Sequence, residues 1–181
     1  MAGTTISPGG GEDAVAESPV LAAIWGTVFA QPPYAESADA IGRFESERLL
    51  RHAGRDGFAI AIARDPAGEP VGFAYGMTGI PASWWSGYLR ERVDPALVDA
   101  WVPGAFELAE LALLPRYRGQ GVGRSLLATL LVPRAEPRVV CQTVAEETPA
   151  RALYRSLGFR ELASFERWVL LGRELPVGPD A

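Results

Sequence analysis

One stretch of the chain constrains its fold more than any other: an apolar segment leads through a short turn into a second apolar segment. Residues 105–114, AFELAELALL, have the length and apolar content of a β-strand, and residues 121–131 have the apolar spacing of an α-helix. A helix leaves the N–H groups of its first turn without partners inside the helix. The sequence therefore predicts a strand, a tight turn and a helix whose N-terminus suits an anion.

The turn itself, RGQGVGR, contains the residue types that an anion site needs. Glycines at alternate positions, Gly119, Gly121 and Gly123, allow positive φ and a close approach of a ligand to the backbone. Arg118 and Arg124 add cations suited to phosphate groups. The spacing differs from the dinucleotide-binding motif, because Arg124 stands where a third glycine is required, and it differs from the P-loop. A purely structural turn with solvated arginines is the alternative at this point.

Hydrophobic periodicity predicts further elements on both sides of this unit. Residues 1–17 are polar and rich in glycine, and we expect them to form a mobile tail. The other predicted elements are helices over 18–29 and 37–53, a hairpin over 57–79, a strand over 138–144, a helix over 148–157 and strands near 159–165 and 167–175. This order predicts one α/β (α+β) domain over residues 18–175, with a mixed central β-sheet flanked by helices.

Composition excludes several classes of function. All 17 basic residues are arginine, and a chain without lysine can build neither a P-loop nor a Schiff base. The net charge of −5 argues against nucleic-acid binding. A single histidine, His52, and a single cysteine, Cys141, do not suffice for a His/Cys metal site, so we expect no metal. We expect His52 on the surface of a helix and Cys141 buried in a strand.

Two motifs in the second half of the chain resemble those of a known family. Arg118-x-x-Gly121-x-Gly123, placed after a strand, resembles the [Q/R]-x-x-G-x-[G/A] acetyl-coenzyme A signature of the GNAT N-acetyltransferase superfamily. The segment ETPARALYRSLGF, residues 147–159, is similar to the family's second signature, in which an asparagine is followed by Ala, Leu-Tyr and Gly-Phe. The positions in register with it are Ala150, Leu153, Tyr154, Leu157, Gly158 and Phe159.

The resemblance, which covers roughly residues 57 to 171, implies a site for coenzyme A. Its pyrophosphate would be bound through backbone amides of the turn, formed by Arg118, Gly119, Gln120, Gly121, Val122, Gly123 and Arg124. The backbone of Leu111 and Leu113, on the strand before the turn, would hold the acyl group and the pantetheine amides. Glu147 stands at the position of the family's asparagine, where a carboxylate is less favourable than an amide beside a pantetheine or phosphate oxygen.

The resemblance also implies catalytic residues. Tyr154 stands at the general-acid position, where a tyrosine protonates the departing coenzyme A thiolate; its place on an apolar helix face alone indicates core packing. A carboxylate can deprotonate the attacking amine. Glu107 and Glu110 lie three residues apart on the strand before the turn, so a regular strand directs them to opposite faces. We choose Glu110, which is nearer the expected acyl site; an exposed strand carboxylate is the alternative.

The resemblance thus predicts an N-acetyltransferase that moves an acetyl group from acetyl-CoA to a primary amine by direct attack. We expect a small-molecule amine, enclosed by Tyr34 of the QPPY corner and by Trp84 and Trp85 of the irregular segment 81–103, with core packing as the alternative for each. A peptide or protein amine stays open as the acceptor, and a homodimer stays open as the oligomeric state. The alternative function of a different class is a non-catalytic acyl-CoA-binding sensor or interaction module. With no secretory signal or bilayer-spanning run evident, we expect a cytoplasmic protein without membrane contact.

Overall fold

The computed structural model describes residues 3–132 and 134–176, which form a seven-stranded β-sheet with helices around it. The strands are β1 (Thr5–Gly9), β2 (Ala59–Arg64), β3 (Pro70–Thr78), β4 (Phe106–Leu113), β5 (Arg138–Val144), β6 (Arg160–Phe165) and β7 (Trp168–Glu174). Their order across the sheet is β1-β2-β3-β4-β5-β7-β6. β4 and β5 run parallel, whereas β1 with β2, β2 with β3, β5 with β7 and β6 with β7 are antiparallel. The predicted mixed sheet is confirmed.

The helices are α1 (Gly11–Ala16), α2 (Ser18–Phe29), α3 (Ala38–Arg43), α4 (Leu50–Ala53), α5 (Trp84–Arg90), α6 (Pro95–Trp101), α7 (Val122–Leu131) and α8 (Pro149–Ser156). A π-helical segment, Phe44–Leu49, joins α3 to α4, and a single 3-10 turn, Pro115–Tyr117, follows β4. Within the described ranges no helix has the length and apolar character needed to cross a membrane. The described residues group into two compact units, a first unit of 3–77 with 110–132 and a second unit of 78–109 with 134–176.

The N-terminal segment differs from the prediction. All five residues of β1 pair antiparallel with β2, and Ala14 of α1 is fully buried. The prediction of a mobile tail over 1–17 is therefore wrong for residues 5–16, and the ordered domain begins before residue 18; residues 1 and 2 lie outside the described ranges. The physical reason is that an edge strand is held by backbone hydrogen bonds, so it tolerates polar residues and proline that weaken a hydrophobic pattern.

The predicted helix over 37–53 is present but not uniform. Ser37 caps its start, because the Ser37 hydroxyl oxygen accepts a hydrogen bond from the backbone N–H of Ala40 at 3.2 Å. The helix widens into the π-helical segment after α3 and then continues as α4. Phe44 and Leu49, at the two ends of the π-helical segment, are both fully buried. This helix therefore contributes to the core of the first unit.

Segment 81–103 is more regular than predicted, since it forms α5 and α6. The side chain of Ser83 accepts a hydrogen bond from the N–H of Ser86 at 3.0 Å, and that of Asp94 from the N–H of Ala96 at 2.9 Å, so both helices are capped. The buried residues of the cluster that they form with β6 and β7 are Leu89, Val98, Val102, Phe165 and Leu170. This segment supplies part of the core of the second unit.

The prediction for the single cysteine is confirmed, whereas the prediction for the single histidine is wrong. Cys141 of β5 is buried as predicted, and its burial raises the pKa of the thiol. His52 of α4 is half-buried, and its Nδ1 lies 3.1 Å from the hydroxyl oxygen of Tyr75 on β3. Burial, followed by the charges of three nearby arginines, lowers the pKa of His52 from 6.5 to about 4. The surface prediction for His52 is wrong because its charged sequence neighbours do not determine which way the imidazole faces.

Candidate active site

The turn after β4 is shaped by hydrogen bonds to its own backbone. The guanidinium Nε of Arg118 donates to the carbonyl oxygen of Leu113 at 3.1 Å, and the side-chain amide of Gln120 donates to the carbonyl oxygen of Arg116 at 2.7 Å. Residues 118–121 are exposed. The turn is therefore both internally braced and accessible to a ligand.

The first turn of α7 follows directly. Gly121 is its N-cap residue with φ of +83°, and Gly119 has φ of +72°. A Cβ atom at either glycine would meet nothing within 4 Å, so positive φ rather than space requires glycine. Gly121 offers no side-chain oxygen to the N–H groups of the turn formed by Val122, Gly123 and Arg124. A helix start with an exposed glycine cap that supplies no acceptor suits an anion.

Leu111 and Leu113 flank the fully buried Ala112 on β4 and are themselves half-buried. A Cβ atom added at Gly72 of β3 would lie 2.6 Å from Leu113 Cδ1 and 2.8 Å from the carbonyl oxygen of Ala112. β3 and β4 thus lie close together at the end of β4, and this close packing holds β4 in place where it leads into the turn. The binding of acyl and pantetheine groups by Leu111 and Leu113 stays a prediction.

Glu110 lies at the centre of a polar group in the first unit. Its side chain is 10% exposed, its Oε2 accepts a hydrogen bond from Trp25 Nε1 at 2.9 Å, and its Oε1 lies 3.3 Å from Arg48 Nη1. Burial raises the pKa of Glu110, while the Arg48 charge and the hydrogen bonds from Trp25 and Arg48 oppose that rise. A carboxyl with a raised pKa is suited to general-base work near neutral pH.

An aromatic cluster connects Tyr34 to this carboxylate. The Trp25 ring stacks on Phe44 at 4.7 Å and on Phe29 at 4.8 Å, and Phe29 meets Tyr34 edge to face at 4.8 Å. The structure therefore brings one predicted pocket residue, Tyr34, into the same cluster as the predicted base. Whether Tyr34 contacts an acceptor stays a prediction.

The other candidate carboxylate has different surroundings. Glu107 is buried in the second unit, where a Cβ atom at Gly79 would lie 3.0 Å from Glu107 Oε1. The alternative for Glu110, an exposed strand carboxylate, does not describe its environment, since its side chain is 10% exposed. The choice of Glu110 over Glu107 as the base stays a prediction.

Tyr154 lies on α8 in the second unit and is 6% exposed. Its ring is 5.3 Å from that of Phe159, and the N–H of Phe159 donates to the carbonyl oxygen of Tyr154 at 3.1 Å. Gly158 between them has φ of +84°, which ends the helix and turns the chain into β6. Packing and a catalytic role for Tyr154 are compatible, since the ring can pack while its hydroxyl oxygen meets a substrate.

Glu147, at the position of the family's asparagine, is 64% exposed and is paired with arginines of α8. Its Oε1 lies 2.5 Å from Arg155 Nη2 and 3.8 Å from Arg151 Nη1. Two guanidinium groups therefore accompany the carboxylate where the family has an amide. Thr148 caps α8 by accepting from the N–H of Arg151 at 3.2 Å.

The two predicted pocket tryptophans of α5 have unlike environments. Trp84 is 79% exposed and stacks on Tyr88 at 5.3 Å. Trp85 packs against the buried cluster of the second unit, and its indole N–H donates to Gln142 Oε1 at 3.1 Å. Trp84 is available to a ligand, whereas Trp85 has mainly a packing role. Core packing, the alternative for both, applies to Trp85 alone.

Sequence reasoning missed the partners of Glu110. The sequence predicts Trp25 as a core residue of an amphipathic helix, and nothing in it indicates that the indole N–H donates to a carboxylate 85 residues away. Arg48 is one of 17 arginines and carries no motif. Within residues 3–132 and 134–176, no cluster of three or more His, Cys, Asp or Glu side chains is arranged to hold a metal ion.

Comparisons with known proteins concern the family and the fold. The family model described as an acetyltransferase (GNAT) domain matches residues 55–161. The GCN5-like protein acetyltransferase Rv2170 of Mycobacterium tuberculosis is 33% identical over 138 residues, 67% of this chain and 67% of that protein.

Solved structures share the fold at lower identity. The PaiA N-acetyltransferase of Thermoplasma acidophilum, in complex with coenzyme A, is 14% identical with a TM-score of 0.63, over 95% of this chain and 99% of the other. The ribosomal-protein-S18-alanine N-acetyltransferase of Escherichia coli is 20% identical with a TM-score of 0.61, over 99% of both chains. Given the match of the family model to more than half of its residues, the chain belongs to the GNAT family of acetyltransferases.

Proposed function

We propose that the protein transfers an acetyl group from acetyl-CoA to a primary amine. The observation that carries the proposal is the start of α7, where an exposed glycine cap at φ of +83° is flanked by the exposed arginines Arg118 and Arg124. Backbone N–H groups and the helix dipole there fit a pyrophosphate. The complex of the Thermoplasma PaiA enzyme with coenzyme A supports the same ligand for this fold.

In this proposal the residues of the turn, from Arg118 to Arg124, bind the pyrophosphate, and the backbone of Leu111 and Leu113 holds the pantetheine and acyl groups. The acceptor nitrogen attacks the thioester carbonyl, and the carbon–sulfur bond breaks. Tyr154 donates its phenolic proton to the departing thiolate, and Glu110 takes the proton that the acceptor nitrogen loses. Glu147 contributes to coenzyme A binding through Arg151 and Arg155, the two arginines with which it is paired.

The acceptor we propose is a small-molecule amine. Support comes from the half-buried rings of Phe29 and Tyr34, which adjoin Trp25 and through it the carboxylate of Glu110, since aromatic rings and a carboxylate suit an ammonium group. A protein amine is the second candidate, because the Mycobacterium tuberculosis relative is named a protein acetyltransferase. A non-catalytic acyl-CoA-binding module is the alternative of a different class.

Release of the coenzyme A thiol, measured over a panel of small amines and amine-bearing peptides, tests the proposal. We expect amine-stimulated release, and we expect Tyr154→Phe to lower kcat by about a hundredfold or more with acetyl-CoA binding preserved, because the ring still packs on Phe159. Tyr88→Phe, which removes an equivalent hydroxyl elsewhere in the second unit, is the matched control. Tight acetyl-CoA binding without release for any amine would favour the non-catalytic module, and an unchanged rate in Tyr154→Phe would remove that residue from the mechanism.

A further inference from the structure

We propose that Arg48 and Trp25 are positioning residues that hold the Glu110 carboxylate in one orientation for its role as base. The inference rests on the proposed function, in which Glu110 takes the proton of the acceptor amine. It assigns a task to the π-helical segment, which belongs to neither of the two sequence motifs.

Each oxygen of Glu110 has its own donor. Trp25 Nε1 donates to Oε2 at 2.9 Å, and Arg48 Nη1 lies 3.3 Å from Oε1. The two donors also contact each other, since the Arg48 guanidinium carbon lies 5.4 Å from the centroid of the Trp25 ring. Three side chains from three elements thus form one closed set of contacts. A carboxylate bonded through both oxygens cannot rotate freely, yet it retains lone pairs for an incoming proton.

The donors are themselves held by packing. Trp25 is 1% exposed and stacks on Phe44 with 9° between the ring planes. Phe44 opens the π-helical segment that also carries Arg48. The segment that positions the arginine therefore also packs against the tryptophan, so the two donors are placed together.

The π-helical geometry has a consequence for this arrangement. Phe44 and Leu49 are five residues apart and both fully buried. In a regular α-helix with 3.6 residues per turn, residues five apart diverge by about 140°, whereas the i to i+5 hydrogen bonding of a π-helix brings them to one side. The wider turn thus buries Phe44 and Leu49 together while Arg48, one residue before Leu49, reaches Glu110 and stays 38% exposed.

The charges facing Glu110 give Arg48 a distinct role among its neighbours. Arg48 and Trp25 favour the ionised carboxylate, whereas burial and the carboxylate of Glu36, in the loop before α3, oppose ionisation and raise the pKa. Tyr75 on β3 faces the same group, because Glu110 contributes to the raised pKa of its buried hydroxyl. The charge of Arg51 on α4 opposes the rise in the pKa of Tyr75, and His52 Nδ1 lies 3.1 Å from the Tyr75 hydroxyl oxygen.

The test is the pH dependence of kcat/KM for Arg48→Gln, Arg48→Lys and Trp25→Phe, with acetyl-CoA and the best amine of the panel. We expect Arg48→Gln to lower kcat/KM by about tenfold to a hundredfold and to move the acid limb of the profile up by about one pH unit. Arg48→Lys should return the acid limb to the pH found for the unsubstituted protein but restore only part of kcat/KM, since a lysine keeps the charge without the planar contact to Trp25. Trp25→Phe should lower the rate while keeping a ring on Phe44.

Two controls keep the inference separate from the proposed function. Arg51→Gln removes a neighbouring arginine that makes no hydrogen bond to Glu110 in the described structure, and should leave the profile unchanged. Glu110→Gln tests the base itself: if this variant keeps full activity, the base assignment of the proposed function fails. If Glu110→Gln is inactive and Arg48→Gln has the profile of the unsubstituted protein, the positioning role is overturned. A carbon-13 NMR titration measures the pKa of the Glu110 carboxyl in folded Arg48→Gln without any need for turnover. A pKa equal to that of the unsubstituted protein would likewise overturn the positioning role.

Discussion

His52 offers a quantitative test of the structure, because the chain contains a single histidine. Its imidazole is half-buried against Tyr75, and burial with the neighbouring arginine charges lowers its pKa from 6.5 to about 4. The folded protein therefore keeps His52 neutral at a pH where the unfolded chain already binds a proton. This contribution to stability is complete above pH 6.5 and is lost as the pH falls toward 4.

The magnitude follows from the two pKa values. At about 1.4 kcal/mol for each pH unit, the full effect is about 3 kcal/mol, and about 2 kcal/mol of it should be lost between pH 7.5 and pH 5. Other ionisable groups also titrate in this range, so the quantity to compare is the difference in unfolding free energy between the protein and His52→Gln. Glutamine keeps a hydrogen-bonding group near Tyr75 but does not titrate.

Urea unfolding at several pH values from 7.5 to 5 measures this difference. We expect the advantage of the unsubstituted protein over His52→Gln to fall by about 2 kcal/mol across that range. Proton NMR of the single imidazole provides an independent value, with no titration expected until the pH approaches 4. A difference that does not change with pH, or an imidazole that titrates near 6.5 in the folded protein, would refute the burial of His52.

Two further predictions concern glycines. Gly121→Val places a β-branched residue at φ of +83° and should weaken coenzyme A binding by more than about tenfold in calorimetry. The control is Gly68→Val in the β2–β3 hairpin, which is equally open at φ of +90° and should not weaken binding. Equal affinities of the two variants for coenzyme A would contradict the site. Gly172→Ala puts a Cβ 2.8 Å from Cζ3 of the Trp101 ring and 2.6 Å from Leu162 Cδ1. It should lower the unfolding free energy by about 1–3 kcal/mol in urea titrations, while Gly87→Ala, with open space, should not destabilise. A neutral Gly172→Ala would contradict the packing of β7.

The candidate site divides into parts that motifs reveal and parts that they do not. The positive-φ glycines of the turn could be expected from the sequence, because backbone conformation depends on a few adjacent residues. Tyr154 and Glu147 were named only through the resemblance to the GNAT family, and their roles stay predictions. The bonds of Trp25 and Arg48 to Glu110 could not, since they join residues 85 and 62 positions apart and depend on side-chain packing. Trp84 and Trp85 show the same limit: adjacent in sequence, one is exposed and the other packed.

The sequence by itself determined the order of most elements, including the β2–β3 hairpin and the unit of β4, turn and α7, because hydrophobic period, glycine and capping residues act locally. Only the tertiary structure decided that polar residues 5–9 form an edge strand, that the helix over 37–53 contains a π-helical segment, and that His52 faces Tyr75. Each of these depends on a partner distant in the chain, and the free energy of such a contact is not encoded in any local pattern. Seven residues of the sequence suffice to predict an anion site at the start of α7, which stays a prediction, whereas the environment of Glu110, the proposed base, required the fold.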